Sequence, residues 1–279
     1  MTGIIDIGGG LRGIFGAGVF DRCLDENFSF DYHIGVSAGA ANIVSFLGDQ
    51  RGRNFLFYTE YAQRSEYMSL SNFIRSGSYL NLDYVYGTLS DSDGENPLDF
   101  NRMKSKEKIF TTVTTDAETG KALYYGTDAY KQDDYTILKA SCCLPIACRP
   151  VIFDGKKCFD GGVADPIPIE KALNDGCEKV VIVLTRPKDE KKEAGVDKKG
   201  AKLLRHSFPD FAKILEERYK KYNESLELAI SLEEEGKVLI LCPDEIKGLK
   251  TLTKDKEKLK TLYDCGYNKA AAIKTFFEK

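Results

Sequence analysis

Tryptophan is absent from the 279-residue chain, methionine occurs three times, and histidine only twice, at His33 and His206. Two imidazoles exclude a His-rich metal centre and leave any scheme that needs a histidine base only two places to find one. A long hydrophobic run is missing as well. The longest stretch without Asp, Glu, Lys or Arg runs for 17 residues, Tyr32 to Gly48, and Gly35, Ser37, Gly39, Asn42 and Ser45 interrupt it. A bilayer span needs ~20 apolar residues, so no membrane-crossing helix is expected. Met1 to Asp6 shows no basic segment leading into an apolar one, so no secretory signal is expected either. An excess of positive charge is lacking: 40 Lys and Arg face 43 Asp and Glu, a formal charge of −3, which argues against a nucleic-acid partner. The eight cysteines include no CxxC pair to hold zinc. Their scatter through a large chain reads as reduced core thiols in a cytoplasmic protein.

What is present is the mixture of a globular chain, 42% hydrophobic and 30% charged. Gly3 to Ile7 reads as a strand, Gly8-Gly9-Gly10 as a turn, and Ile14, Phe15, Ala17, Val19, Phe20 and Leu24 as one helix. Tyr32 to Val36 is a second strand, followed by an apolar helix from Ala38 to Leu47. Two strands joined by a crossover helix predict a parallel sheet. Hairpins are expected at Glu118-Thr119-Gly120 and around Asp154-Gly155. Lys179 to Leu184 and Lys237 to Cys242 read as further strands, with a long amphipathic helix between them from Phe211 to Ile230. Lys188 to Lys202 reads as a charged, solvated loop or a flap near a site. Two C-terminal helices divided at Gly266 complete a single domain.

Three short motifs carry chemistry. Gly35-Val36-Ser37-Ala38-Gly39 is a G-x-S-x-G sequence between a strand and a helix, where a sharp turn exposes the serine hydroxyl as a nucleophile. Gly8-Gly9-Gly10-Leu11-Arg12-Gly13 fits the dinucleotide fingerprint G-x-G-x-x-G. That fingerprint wants an acidic residue at the end of the second strand, and Val36-Ser37 stands there instead. The alternative is an oxyanion hole built from the loop's N–H groups. Arg12 would brace that loop or meet an acidic head group. Asp160-Gly161-Gly162 is the third motif, a turn by composition and a source of a base by elimination. His33 precedes Ser37 by four strand residues, roughly 13 Å at ~3.3 Å per residue. His206 follows the charged stretch and reads as a surface residue. Asp160 is left as the simplest proton acceptor for Ser37.

With these blocks in this order the sequence resembles the patatin-like phospholipases, in particular a bacterial branch. Asp31 to Asn42, Ala140-Ser141-Cys142-Cys143-Leu144-Pro145 and Asp160 to Ile169 carry the likeness further. The resemblance implies a three-layer α/β/α sandwich around a mainly parallel sheet. It implies a catalytic region over residues 4–172, with 173–279 the C-terminal part of the same α/β domain. It implies lipid acyl hydrolysis by a Ser37–Asp160 dyad through an acyl-enzyme, with Gly8 to Gly13 around the oxyanion. Gly35 and Gly39 would then shape the nucleophile turn, and Gly161 and Gly162 the turn after the base. The family often places an acidic residue directly before the triple glycine. Here Ile7 stands there and Asp6 precedes it. No cofactor or metal is expected, the partner is a lipid acyl ester, and membrane contact would be transient and peripheral. Two other readings stay open: a lipid- or partner-binding module on the same fold, and a Ser-His-Asp esterase.

Overall fold

The computed structural model describes residues 1–246 and 248–278, with Val196 described by its backbone alone. Eight strands form one sheet: β1 (Thr2–Asp6), β2 (Tyr32–Val36), β3 (Ile109–Asp116), β4 (Ala122–Tyr125), β5 (Val151–Phe153), β6 (Lys156–Asp160), β7 (Lys179–Val183) and β8 (Val238–Leu241). Their order is β5-β6-β3-β2-β1-β7-β8, with β4 also paired to β3. The five strands from β3 to β8 along this path are parallel, and β4, β5 and β6 add antiparallel pairs at one end. The parallel strands are apolar on both faces, as a doubly covered sheet requires: Val180, Val181, Ile182 and Val183 of β7 are all fully buried.

The helices are α1 (Ile14–Asp25), α2 (Ala38–Leu47), α3 (Arg53–Thr59), α4 (Leu70–Ser76), α5 (Phe100–Ser105), α6 (Thr136–Ser141), α7 (Ile169–Asn174), α8 (Gly195–Leu204), α9 (Pro209–Glu234), α10 (Lys256–Lys269) and α11 (Ala272–Glu278). They cover both faces. Phe15 and Phe20 of α1, Ile43 of α2 and Leu259 of α10 belong to one apolar layer. Ile169 of α7 and Tyr222, Leu226 and Ala229 of α9 belong to the other. Each large apolar side chain buried this way contributes roughly 1.5–3 kcal/mol. The protein is therefore an α/β three-layer sandwich around a mainly parallel sheet, as expected.

Both hairpins form where their turn residues place them, the second with Asp154 and Gly155 at φ 49° and 70°. Two expectations need correction. The charged stretch is irregular only to Ala194, and Lys192 within it is half-buried. Gly195–Leu204 then forms α8, whose Ala201 is fully buried. Nor does Gly266 divide the C-terminal helices. It lies within α10, and a Cβ there would overlap the Phe15 carbonyl of α1, so the glycine serves a close helix crossing. All eight cysteines are free thiols. Among the described residues no helix is long and apolar enough to cross a membrane.

Candidate active site

The parallel strands point their C-terminal ends at one crevice, the usual place for ligands in an open α/β sheet. Ser37 follows β2 directly and starts α2 with φ 56° and ψ −133°, a backbone conformation rarely adopted by a residue with a Cβ. What holds it there is Ser141, fully buried at the end of α6. Its Oγ accepts the Ser37 N–H at 2.9 Å and donates to the Val113 carbonyl at 2.7 Å. The turn is tight enough that a Cβ on Gly39 would overlap the Asp6 carbonyl, while one on Gly35 would overlap Ala40.

Asp160 ends β6, and strand β3 sets its distance from Ser37. Val36 is registered against Val113 and Asp160 against the next residue, Thr114. Thr115 Oγ1 donates to the Asp160 carbonyl at 2.8 Å. The carboxylate, 2% exposed, accepts the Gly162 N–H on Oδ1 at 2.8 Å, and its Oδ2 has no partner with good geometry. Burial raises the Asp160 pKa above the ordinary carboxylate value. The Arg218 charge, hydrogen bonding from Ser37, the Gly162 N–H and the Lys192 charge act against it. The Ser37 hydroxyl is close enough to the buried Asp160 carboxylate to favour its ionised form. It also neighbours Cys142, whose Sγ is 3.1 Å from the Tyr86 hydroxyl; burial pushes that thiol up, so it stays protonated.

Gly8, Gly9 and Gly10 follow β1 with φ of 63°, 135° and 61°. A Cβ on Gly8 would collide with the start of α2, so the loop can lie against the Ser37 turn only as glycine. The N–H groups of the loop are not equivalent. That of Gly8 donates to Asp6 Oδ1 at 2.9 Å. That of Leu11 donates to the Thr251 carbonyl at 2.7 Å, so Leu11 is removed from the expected oxyanion donors. Those of Gly9 and Gly10 find no protein acceptor among the described residues. Thr185 Oγ1, just after β7, braces the loop by donating to the Gly8 carbonyl at 2.6 Å. Arg12 is not the surface ion-pair residue that a turn arginine often is: it is 9% exposed and forms no ion pair among the described residues. Gly13 accepts at its carbonyl from Asn42 Nδ2 at 2.9 Å.

Asp6, two positions before the glycines, anchors this arrangement. Its Oδ2 accepts from Asn42 Nδ2 at 2.8 Å, and Tyr58 donates to Asn42 Oδ1 at 3.2 Å. Burial pushes its pKa up to about 6 against the hydrogen bonds from Asn42 and Gly8. Neither histidine shares the site. His33 is buried, with Nδ1 3.2 Å from the Ile109 carbonyl, and desolvation lowers it to about 4. His206 is exposed on the turn after α8.

Ser37 stands between two spaces. A cleft of about 800 Å³ is lined by Gly9, Gly10, Ser37, Asp160, Gly162 and the segment that follows β7. Behind the serine lies a smaller cavity of about 40 Å³, walled by Phe57, Tyr58, Tyr67 and Tyr86 from the aromatic middle of the chain. Ser141, Thr115, Thr185 and Asn42 support this geometry and carry no motif of their own. Among the described residues no group of three or more His, Cys, Asp or Glu could hold a metal ion.

Residues 8–173 match the patatin-like phospholipase family, and residues 208–277 match a domain of unknown function, DUF6363. The uncharacterized protein YjjU of Escherichia coli (strain K12) is 30% identical over an alignment of 195 positions that covers 64% of this chain and 50% of YjjU. The chain thus spans about half the length of that curated relative. Its fold is similar to that in the crystal structure of VipD from Legionella pneumophila, with a TM-score of 0.50 at 15% identity, over 98% of this chain and 66% of VipD. The family match covers more than half of the chain and contains the Ser37 turn, the glycine loop and Asp160, and the chain belongs to the patatin-like phospholipase family.

Proposed function

We propose that the protein is a serine carboxylic-ester hydrolase acting on lipid acyl esters. The observation that carries this reading is a serine in a strained strand-to-helix turn beside a buried carboxylate with one free oxygen. Ser37 Oγ attacks the acyl carbonyl carbon as its proton passes to Asp160 Oδ2. The N–H groups of Gly9 and Gly10 receive the negative charge that develops on the carbonyl oxygen. Collapse breaks the ester bond, and Asp160 returns the proton to the departing alcohol. Water then attacks the acyl-Ser37 ester, gives its proton to Asp160, and releases the fatty acid; the proton returns to Ser37. Burial supports the base role by raising the Asp160 pKa towards neutrality.

The test is hydrolysis of p-nitrophenyl hexanoate together with labelling by a fluorophosphonate. Ser37→Ala and Asp160→Ala are each expected to lower kcat by at least about 10³-fold. His206→Ala should keep wild-type turnover. Loss of activity in His206→Ala with retention in Asp160→Ala would replace the dyad with a triad. Folded wild-type protein that neither turns over nor labels would favour a binding module.

A further inference from the structure

Among the described residues Arg53 is the one charged side chain that lines the cavity behind Ser37, and no carboxylate lines it. Arg53 opens α3 and is half-buried. Its Nε donates to the Pro97 carbonyl at 3.3 Å, and Nη1 donates to Ser45 Oγ at 3.0 Å. Nη2 donates to Ser90 Oγ at 2.9 Å and to the Asn96 carbonyl at 2.8 Å. All of these acceptors are neutral, and Arg53 forms no ion pair among the described residues. Nη1 carries two hydrogens and spends one on Ser45, so the other is left over. Burial pulls the guanidinium pKa down to about 10, and the groups that act against it are the phenols of Tyr86, Tyr135 and Tyr61. The cavity walls add no counter-charge, since burial pushes the Tyr58, Tyr67 and Tyr86 phenols up and keeps them protonated. A cation drawn out of water is favoured by an anion close by, and none of the described residues supplies one.

The cavity joins this cation to the reacting serine along α2. Ser37, Ala38 and Ala41 line it, and Ser45, which holds Nη1, is the next residue on the same helix face. Ser45 stands two turns beyond Ser37, roughly 12 Å at ~1.5 Å per residue. Subtracting about 3 Å for a charge-assisted hydrogen bond leaves roughly 9 Å, the length of a zigzag acyl chain of about six carbons. Resting on the acyl-hydrolase reading of Ser37, we propose that the acyl half of the substrate ends in a carboxylate seated on Arg53. The enzyme then cleaves half-esters of short dicarboxylic acids, with the adipoyl group the best fit. The terminal carboxylate takes the spare Nη1 hydrogen and neutralises the guanidinium. The methylenes between the two carbonyl carbons lie against Phe57 and the tyrosine rings. The chemistry at Ser37 is unchanged, and the acid released is a dicarboxylic acid.

The experiment compares mono-p-nitrophenyl adipate with p-nitrophenyl 6-methylheptanoate, in which an isopropyl group of similar shape replaces the carboxylate. The wild type should favour the adipate in kcat/KM by at least about tenfold. Arg53→Met should lower that ratio by at least about tenfold, mainly through KM, because the carboxylate meets Arg53 in ground and transition states alike. A structural lesion at Arg53 slows both esters together and leaves the ratio where it was. Arg53→Lys keeps a charge without the fork and should give an intermediate ratio. A wild-type ratio near one, or a ratio unmoved by Arg53→Met, overturns the proposal. If Arg53→Met does not fold, Arg53→Lys decides: a ratio at least about threefold below wild type supports the seat, and an unmoved ratio refutes it. A wild type that cleaves neither ester nor p-nitrophenyl hexanoate defeats the hydrolase reading alone. Calorimetry with adipate then decides the seat. Binding weakened by Arg53→Lys supports it, while no binding to the wild type, or equal binding to the variant, refutes it.

Discussion

Ser141→Ala tests whether one buried hydroxyl keeps the nucleophile in its reactive conformation. Ser141 is fully buried, and its Oγ is the acceptor for the Ser37 N–H and a donor to the Val113 carbonyl. Removing it leaves a buried N–H without an acceptor, which costs about 1–3 kcal/mol, and removes a donor from a carbonyl. Against this, the Ser37 backbone at φ 56° and ψ −133° stores strain on the order of 1–3 kcal/mol that the bond restrains. Without the bond the turn relaxes, and the released strain offsets part of the loss. The net destabilisation should therefore be only about 1–2 kcal/mol, a few degrees in Tm for a chain of this length. Activity suffers more, because a nucleophile displaced by about 1 Å can lose 10²-fold in rate. The expected signature is kcat lower by about 100-fold with KM within about twofold, and fluorophosphonate labelling slowed in parallel. Urea melts and p-nitrophenyl hexanoate kinetics read both quantities. Wild-type kcat together with a stability loss above about 2 kcal/mol would mean that the turn keeps its geometry without Ser141, and the assignment would be wrong.

Two further outcomes follow from the cavity behind Ser37 and from the buried Asp6. The cavity behind Ser37, about 40 Å³, holds about three water-sized groups at 10–15 Å³ each, so kcat/KM for p-nitrophenyl esters should peak at butyryl to hexanoyl. A profile flat out to dodecanoyl would show that the aromatic walls open. The Asp6 carboxyl is raised from 3.8 to about 6, so the native state holds a proton that the unfolded chain releases between those pH values. Its contribution makes stability fall by roughly 3 kcal/mol as pH rises from about 4 through 6. Asp6→Asn should lack that slope, and a wild-type-minus-variant difference that rises with pH would contradict it.

The strained turn at Ser37 was legible in the sequence because its backbone geometry is local. Gly35 to Gly39 sits between an apolar strand and an apolar helix, and nothing distant is needed to recognise the turn. The parallel strands were legible for a similar reason: burial on both faces leaves unbroken runs such as Val180 to Val183. The supporting polar residues were not. Ser141 lies 104 positions from the N–H it accepts, and Thr185 lies 177 positions from the carbonyl it braces. A lone Ser or Thr gives no sign of such a partner. The charged stretch left two readings open, a solvated loop or a flap near a site. Its lysines and glycines look like a solvated loop, yet Lys192 is half-buried and α8 walls the cleft.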